Sequence, residues 1–141
     1  MVVIMMTLEQ AKSFFQKDQF ACVQAGISIV AVDDNYAKCV MPVTPKHKNA
    51  AGAVMGGALF TLADFAFAVA ANISGTLTVT VSSNINFVSV CRGTMLYAEA
   101  HLIKDGKRSC FYEIPIRDET GALIALVTSS GMHLQKEPHE K

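Results

Sequence analysis

The sequence predicts an α+β domain in which an antiparallel sheet packs on one long, apolar helix. Residues 56–72 are rich in Ala, Leu and Phe and contain a single charged residue, and a helix that is apolar nearly all round is buried. Segments of strand-like composition follow this helix and are joined by short turns. Strands that follow one another, instead of alternating with helices, indicate an α+β domain and exclude a doubly wound parallel sheet.

A short helix and six strands complete the predicted domain. The T-x-x-Q spacing at residues 7–10 is that of a capping box, and apolar residues follow at helical intervals, so we predict a helix over residues 8–17. The predicted strands, each bounded by turn residues, are residues 26–32, 36–41, 76–90, 94–104, 107–117 and 122–134. Residues 1–141 form one domain, with the short helix inside residues 1–20 and a frayed tail at 135–141.

The strand predicted at residues 76–90 alternates between apolar and polar side chains. Its apolar residues on one parity are Leu77, Val79, Val81, Ile85 and Phe87. Threonine, serine and asparagine occupy the other parity. Since successive side chains of a strand point to opposite faces, the pattern predicts one uninterrupted strand with an apolar face and a polar face.

Composition and charge exclude several functional classes. The chain has 12 Lys plus Arg and 12 Asp plus Glu, so it lacks the basic surplus of nucleic-acid-binding proteins. Its four cysteines are widely spaced and predict neither a zinc site nor a disulfide framework. We expect each to be a small buried hydrophobe in a reducing compartment. No cluster of His, Cys and Asp has ligand spacing, so no metal site is expected.

Apolar content bears on location and assembly. Hydrophobic residues make up 51% of the chain, and a surplus of apolar surface in a small domain indicates a subunit interface. The apolar start lacks the basic region and cleavage site of a signal peptide. The longest apolar stretch, residues 63–71, is too short to span a bilayer. We therefore expect a cytoplasmic protein that does not enter membranes.

Asp64 is the charged residue inside the long apolar helix. Burying a lone carboxylate costs roughly several kcal/mol, so its presence needs a reason. It could be satisfied by a hydrogen bond or an ion pair, or it could be a desolvated carboxylate whose pKa is tuned for chemistry. Gly56 and Gly57 begin the same helix, where free N–H groups and the helix dipole can form an oxyanion hole. The two glycines could instead serve only a tight turn with close packing.

The segment from Asn49 to Asp64 reads N-x-x-G-x-V-x-G-G-x-L-F-T-L-A-D. It resembles the signature of the PaaI-like hotdog thioesterases. Residues 84–87 resemble the central-strand motif of that family, and residues 105–109 resemble its hairpin before the fifth strand. The resemblance covers residues 26–134. It implies a hotdog fold and hydrolysis of acyl-CoA or aryl-CoA thioesters to free acid and CoA. Coenzyme A would enter as part of the substrate, with no other cofactor.

The resemblance implies roles for individual residues. Asp64 corresponds to the catalytic carboxylate, which acts as a general base on water or as a nucleophile on the thioester carbon. Gly56, with Gly57 beside it, corresponds to the glycine whose backbone N–H binds the oxyanion. Asn49 corresponds to the asparagine that holds the lytic water or the thioester.

A strand hydroxyl and a second subunit complete the implied site. Thr80 falls where some members place a hydroxyl that orients the water. A loop shift would put Ser82 there, and either residue could simply belong to a polar strand face. In the family, Asn49 and Gly56 of one subunit face Asp64 of the other, which implies a homodimer or a dimer of dimers.

The chain departs from the family pattern at two places. Met55 stands where many members have histidine, and methionine cannot donate a strong hydrogen bond. His47 lies outside the motif, and we interpret it as a surface histidine. Where the family often has Arg-Pro-Ala, this chain has Ser-Val-Cys, followed by Arg92. The candidate contacts for coenzyme A phosphates are Arg92, Lys107 and Arg108, although basic residues on turns can also be merely solvated.

Two other functions remain open. Met55 would suit a non-catalytic acyl-CoA-binding protein on the same fold. A hotdog dehydratase would need a histidine paired with an acid, and no histidine is placed for that role. Phe60, Phe65 and Phe67 could line an acyl or aryl pocket, or could belong to the core.

Overall fold

The computed structural model describes residues 5–134, so the predicted frayed tail at residues 135–141 lies outside the described residues. The helices are α1 (Leu8–Phe15) and α2 (Gly56–Asn72). The strands are β1 (Ser28–Asp33), β2 (Tyr36–Pro42), β3 (Thr78–Phe87), β4 (Met95–Asp105), β5 (Ser109–Asp118) and β6 (Leu123–His133). Two short turns, the π-helical Phe20–Gln24 and the 3-10 Pro45–His47, were not predicted.

The six strands form one antiparallel sheet in the order β1-β2-β4-β5-β6-β3. Helix α2 packs against the inner face of this sheet, and residues such as Leu62, Ala66 and Val69 are fully buried there. The inner positions of β4 and β5 alternate with solvent-facing ones. This arrangement confirms the predicted α+β class, because one apolar helix and one sheet face bury each other.

The start of α1 confirms the predicted capping box. The Thr7 hydroxyl accepts the Gln10 N–H at 3.2 Å, and the Gln10 side chain accepts the Thr7 N–H at 2.9 Å. The helix ends at Phe15, two residues earlier than predicted. The chain then turns through the π-helical segment and lies against α2 before it enters β1.

Strand β3 contains a bulge that reverses its faces. Its pairing with β6 shifts register between Thr80 and Ser82, which leaves Val81 as the extra residue. Before the bulge Thr80 faces α2, and after it Phe87 does so, whereas Ser82 lies on the opposite face. The predicted uninterrupted alternation is therefore wrong, because one extra residue moves every later side chain to the other face.

β3 lies at one end of the sheet, and within residues 5–134 no strand pairs with its outer edge. Apolar side chains are exposed along it, with Val79 41%, Val81 60% and Phe87 58% accessible. An edge strand with unpaired backbone groups and apolar side chains can pair with another chain.

His47 is buried, with 5% of its surface exposed, so the interpretation as a surface histidine is wrong. Its Nδ1 accepts the Thr44 N–H at 3.0 Å, so Nε2 carries the proton and donates to the Ala25 carbonyl at 2.7 Å. Its backbone carbonyl accepts the Met55 N–H at 2.8 Å. His47 thus ties the loop before α2 to the N-terminal segment and fixes where the helix begins.

The cysteines are all free. Cys39 and Cys110 are buried as predicted, whereas Cys22 and Cys91 are only half-buried. Among residues 5–134 no group of His, Cys, Asp and Glu is arranged to hold a metal ion. In the same part of the chain, no helix is both long and apolar enough to cross a membrane.

Candidate functional site

Asp64 lies near the middle of α2 and opens into a cavity of 310 Å³. The cavity is lined by Asp18, Phe20, Ala21, Phe60, Thr61, Asp64 and Phe65. The Asp64 side chain is exposed in the single chain, so the prediction of a buried carboxylate is wrong for an isolated subunit. The reason is a less covered stripe on α2, formed by Gly57, Thr61, Asp64 and Ala68 at helical spacing.

The surroundings of Asp64 favour its protonated form. The pKa of the Asp64 carboxyl is raised above its ordinary value, chiefly because the cavity walls withdraw water from the charged group. The Thr80 hydroxyl, 3.5 Å from Asp64 Oδ1, opposes this shift, and the negative charge of Asp18 adds to it. At 3.5 Å the Thr80 contact is at the limit of a hydrogen bond. Asp64 is therefore a carboxylate with few donors and enhanced basicity.

The structure places Thr80, and not Ser82, beside Asp64. Ser82 follows the bulge and lines a different cavity on the outer face of the sheet. Thr80 faces α2 from the last inner position before the bulge. Of the two hydroxyls left open by the sequence, that of Thr80 is the one that lies beside Asp64.

The N-terminus of α2 presents free backbone donors. Met55 is the N-cap in an extended conformation, and its carbonyl accepts the Ala58 N–H at 3.1 Å. The N–H groups of Gly56 and Gly57 precede the first intrahelical bond and have no acceptor within residues 5–134. The positive end of the helix dipole acts at the same place. These two amides can bind an oxyanion.

Gly56 packs closely against the ring of Phe87. A Cβ placed on Gly56 would lie 2.7 Å from Cζ of Phe87. A cavity of 210 Å³ adjoins this contact, and its lining residues are Ala53, Val54, Gly56, Leu59, Phe87, Ser89, Val90 and Cys91. The free amide of Gly56 therefore lies beside a small apolar cavity.

Met55 covers the second glycine. Its side chain is 47% exposed, and its Cε lies 3.2 Å from where a Cβ of Gly57 would be. The thioether offers no strong donor, so any oxyanion bound here must rely on backbone N–H groups.

Asn49 is held by its own loop. The Asn49 Oδ1 accepts the backbone N–H groups of Ala51 and Ala53 at 3.0 and 3.1 Å. The backbone N–H of Asn49 donates to the Ala53 carbonyl at 2.7 Å. The amide oxygen is thus used within the loop, and Nδ2 is the group that can contact a ligand. Because Ala53 lines the cavity beside Gly56, Asn49 belongs to the same end of α2.

One chain does not bring all the predicted site residues together. Gly56 and Asp64 are eight residues apart on α2, or about 12 Å along the helix axis at 1.5 Å per residue. Asn49, Met55 and both glycines lie at the helix start, whereas Asp64 and Thr80 form a second group halfway along it.

The basic residues are also separated. Arg92 precedes β4 and follows Cys91, which lines the cavity beside Gly56. Lys107 and Arg108 follow β4, whose 11 residues span roughly 35 Å at 3.3 Å per residue. All three are exposed. Within one chain Arg92 and the Lys107–Arg108 pair therefore cannot contact the same phosphate.

Of the three phenylalanines considered for the pocket, Phe60 and Phe65 line the Asp64 cavity, but Phe67 does not. Phe67 is 1% exposed, and its ring centroid lies 5.2 Å from that of Tyr112 in the core. Asp18 and Phe20, which complete the cavity wall, were not predicted from the sequence. The π-helical turn that brings them to α2 has no sequence pattern that would have revealed it.

Comparisons with known proteins show the family to which this chain belongs. The family model described as "Thioesterase superfamily" matches residues 51–125, more than half of the chain. The chain is 34% identical to acyl-coenzyme A thioesterase PaaI of Escherichia coli over 120 residues, covering 84% of both chains. It is 31% identical to human acyl-coenzyme A thioesterase 13 over 121 residues, covering 83% of this chain and 86% of that protein.

A solved structure extends the likeness to the fold. The E. coli PaaI protein from the phenylacetic acid degradation operon superimposes with a TM-score of 0.81 at 28% identity. The match covers 92% of this chain and 97% of that one. The predicted hotdog architecture, a sheet wrapped around one long helix, is thereby confirmed.

Proposed function

Because this chain belongs to the thioesterase superfamily and is a PaaI-like thioester hydrolase, we propose that it cleaves acyl-CoA or aryl-CoA thioesters with Asp64 as the catalytic carboxylate. The observation that carries this proposal is the position of Asp64, a carboxylate of raised pKa opening into a cavity lined by phenylalanine rings. The acyl-CoA class follows from the names of the two thioesterase relatives. The rings of Phe20, Phe60 and Phe65 would receive the acyl group.

The proposed site needs two copies of the chain. An oxyanion donor and a base must each lie about 3 Å from the reacting group. Gly56 and Asp64 of one chain are about 12 Å apart, so they cannot act on the same carbonyl. We infer that the helix N-terminus of one subunit meets Asp64 of another.

Pairing between the β3 edge strands of two subunits would bring the α2 N-terminus of one subunit close to Asp64 of the other. Gly56 packs on Phe87 near the end of β3, and Asp64 contacts Thr80 near its beginning. Antiparallel pairing of two β3 strands about a two-fold axis between Ser83 and Asn84 would set Phe87 opposite the partner subunit's Thr80. Gly56 would then lie near the partner's Asp64, and the exposed apolar side chains of β3 would be covered.

The same two-fold axis would also bring the separated basic residues, Arg92 of one chain and the Lys107–Arg108 pair of the other, toward each other. Lys107 and Arg108 lie at the end of the sheet where β3 begins, since the Arg108 carbonyl accepts the His133 N–H and His133 pairs with Thr78. Arg92 lies at the opposite end. Antiparallel pairing would bring Arg92 of one chain toward the partner's Lys107 and Arg108, where they could contact the phosphates of one coenzyme A.

The reaction follows from these positions. Asp64 takes a proton from a water molecule as the water oxygen bonds to the thioester carbon. The partner's Gly56 N–H, with Gly57 beside it, holds the oxygen that becomes negative, and Nδ2 of the partner's Asn49 and the Thr80 hydroxyl orient the water. The C–S bond then breaks, and the sulfur of coenzyme A takes the proton back from Asp64. Alternatively, a carboxylate oxygen of Asp64 bonds to the thioester carbon, and the C–S bond breaks as coenzyme A leaves as a thiolate. Water then hydrolyses the resulting mixed anhydride, which releases the free acid, restores the Asp64 carboxylate and supplies the proton for the thiolate.

A non-catalytic acyl-CoA-binding role is the second candidate. It is favoured by Met55, whose thioether covers Gly57 where a hydrogen-bond donor would assist the oxyanion. The two candidates differ in turnover and not in binding.

The test is thiol release from short, medium, long-chain and aryl acyl-CoAs by the wild type and Asp64→Asn. If the protein is a hydrolase that uses Asp64, the wild type should release thiol. Asp64→Asn should still bind acyl-CoA but should release no thiol. A correctly folded assembly that binds acyl-CoA but releases no thiol from any member of the panel would establish the binding role instead.

Gly56 allows a sharper test of the oxyanion donor. It is the first helical residue, where proline is well tolerated, and the extended Met55 (φ −71°, ψ 148°) is compatible with a following proline. Gly56→Pro removes the N–H, whereas Gly56→Ala keeps it and adds the same Cβ near Phe87. We expect kcat of the proline variant to be about 100- to 1,000-fold below that of the alanine variant. Equal kcat values for the two variants would show that the Gly56 N–H does not bind the oxyanion.

A further inference from the structure

A second carboxylate lines the cavity into which Asp64 opens. Asp18 reaches it from the N-terminal segment, on the side opposite α2. Its Oδ1 accepts the Ala21 N–H at 3.1 Å, and its carbonyl accepts the Cys22 N–H at 2.9 Å. Ala21 is 2% exposed, so the donor that holds Asp18 belongs to a fixed part of the cavity wall.

We propose that Asp18 is a positioning residue of the hydrolase, a fixed negative charge that shares the cavity with Asp64 and makes Asp64 a stronger base. This inference rests on the proposed function of Asp64. Asp18 would not touch the substrate carbonyl. It would act only through Asp64, because a negative charge in the same cavity disfavours the ionised form of Asp64.

Besides Asp64, Asp18 is the charged residue that lines the cavity. Within the described part of the chain, the elements packed around Asp64 supply no other charged group at this position. Helix α2 carries no second charged residue, and β3 carries none. On the inner face of the sheet, burial raises the pKa values of Cys39, Cys110 and Tyr112, which keeps these groups neutral near pH 7. The raised pKa of Asp64, to which Asp18 contributes, agrees with this arrangement.

The local structure holds Asp18 where it is. The π-helical turn Phe20–Gln24 begins two residues after it, and such turns occur frequently at functional sites. The carbonyl of Ala25, just after this turn, accepts the hydrogen bond from buried His47. Since His47 also fixes the start of α2, the segment carrying Asp18 and the helix carrying Asp64 are tied together.

Asp18→Asn tests the proposal, because the amide oxygen can still accept the Ala21 N–H while the charge is lost. Asp33→Asn is the matched control. Asp33, at the end of β1, also accepts a backbone N–H through Oδ1, from Asp34 at 2.8 Å, and it does not line the cavity. The measurement is the pH profile of kcat/KM for both variants, for Asp18→Glu and for the wild type, at low and high salt.

We expect the acid limb of Asp18→Asn to move to lower pH. For each protein, kcat/KM on the acid limb is divided by the plateau value of the same protein. This ratio should be about two- to five-fold higher for Asp18→Asn than for the wild type at low salt, and the difference should shrink at high salt. Asp33→Asn and Asp18→Glu should follow the wild-type profile. An unchanged acid limb in Asp18→Asn, or an equal displacement in Asp33→Asn, would overturn the proposal.

A direct titration separates this proposal from the proposed function. The ¹³C carboxyl resonance of Asp64 can be followed against pH in the wild type and in Asp18→Asn, whether or not either turns over a thioester. A lower titration midpoint in the variant supports the influence of Asp18, and the same midpoint overturns it. Absence of turnover in the wild type would instead refute the proposed function.

Discussion

Two aspartates in this protein have opposite environments. Asp118 is the last residue of β5, and its Oδ1 accepts hydrogen bonds from the turn to β6: the Thr120 hydroxyl at 2.6 Å and the N–H groups of Thr120 and Ala122 at 2.9 and 3.1 Å. The pKa of Asp118 is lowered, chiefly by the Thr120 hydroxyl. Asp64 has one long contact and a raised pKa, chiefly because the cavity walls exclude water.

The difference shows how the same side chain serves structure in one place and chemistry in another. A carboxylate that accepts three hydrogen bonds is a weak base and stabilises the turn around it. A carboxylate with few donors, beside a cavity that limits its hydration, remains available to take a proton, at some cost in stability. The comparison predicts that replacing Asp64 will lower activity but not stability. Replacing Asp118 should lower stability but not activity.

The largest effect is expected from Asp64→Ala. Removing the catalytic carboxylate should lower kcat by about 1,000-fold or more. The folded-state pKa of Asp64 lies above the unfolded value, so ionisation near pH 7 opposes folding, and alanine also favours the helix. The melting temperature should therefore stay level or rise. Thiol release and thermal unfolding of the same sample provide both readouts, and a large fall in melting temperature would contradict the comparison.

Asp118→Ala should show the reverse pattern. Its loss leaves the donors of the β5–β6 turn without their shared acceptor, so the melting temperature should fall by several degrees. Below the unfolding transition the variant should hydrolyse thioesters at close to the wild-type rate, because Asp118 does not line the Asp64 cavity. A variant as stable as the wild type would show that the turn does not depend on this carboxylate.

The stability difference between the wild type and Asp118→Ala should depend on pH. Because the folded-state pKa of Asp118 is lowered, its contribution is fully present above the ordinary aspartate pKa of about 4. It is lost as the pH falls through the lower folded-state value. Denaturant unfolding at a series of pH values should show the two proteins converging in acid. A difference that grows below pH ~4 would have the wrong sign.

The smallest effect concerns the aromatic wall of the cavity. Phe20 is 66% exposed and lines the cavity, whereas Phe14 is 48% exposed on α1 and contacts Lys17 instead. Phe20→Ala should change the ratio of kcat/KM between aryl and short alkyl thioesters by about five- to ten-fold, as expected for one aromatic contact. Phe14→Ala is the matched control. If both variants shift the ratio equally, Phe20 does not contact the acyl group.

Much of the fold could be predicted because it depends on local patterns. The capping box of α1, the apolar run of α2 and the turns between strands are visible in the sequence, and the structure places these elements within a few residues. The reversal within β3 could not be predicted, since an alternating sequence gives no sign of where one extra residue will enter the ladder.

The site was predicted less completely for a different reason. Asp64, Asn49 and the glycine pair stand out in one short segment, but Asp18 and Phe20 approach through tertiary contacts that follow an irregular turn. His47 looked like a solvent-exposed polar residue because its partners, Thr44 and the Ala25 carbonyl, become neighbours only after folding. The exposure of Asp64 likewise reflects the open side of a single chain, which sequence periodicity does not reveal.

The most direct test of the central claim, a site shared between two chains, is complementation between Asp64→Ala and Gly56→Pro. The two variants are mixed in equal amounts, unfolded, refolded together and assayed for thiol release, with hetero-oligomer formation checked by mass. Each mixed dimer should contain one site with an intact Asp64 and an intact Gly56, so the mixture should recover about one quarter of wild-type activity. Activity no greater than the sum of the two variants, with mixed dimers present, would contradict the shared site.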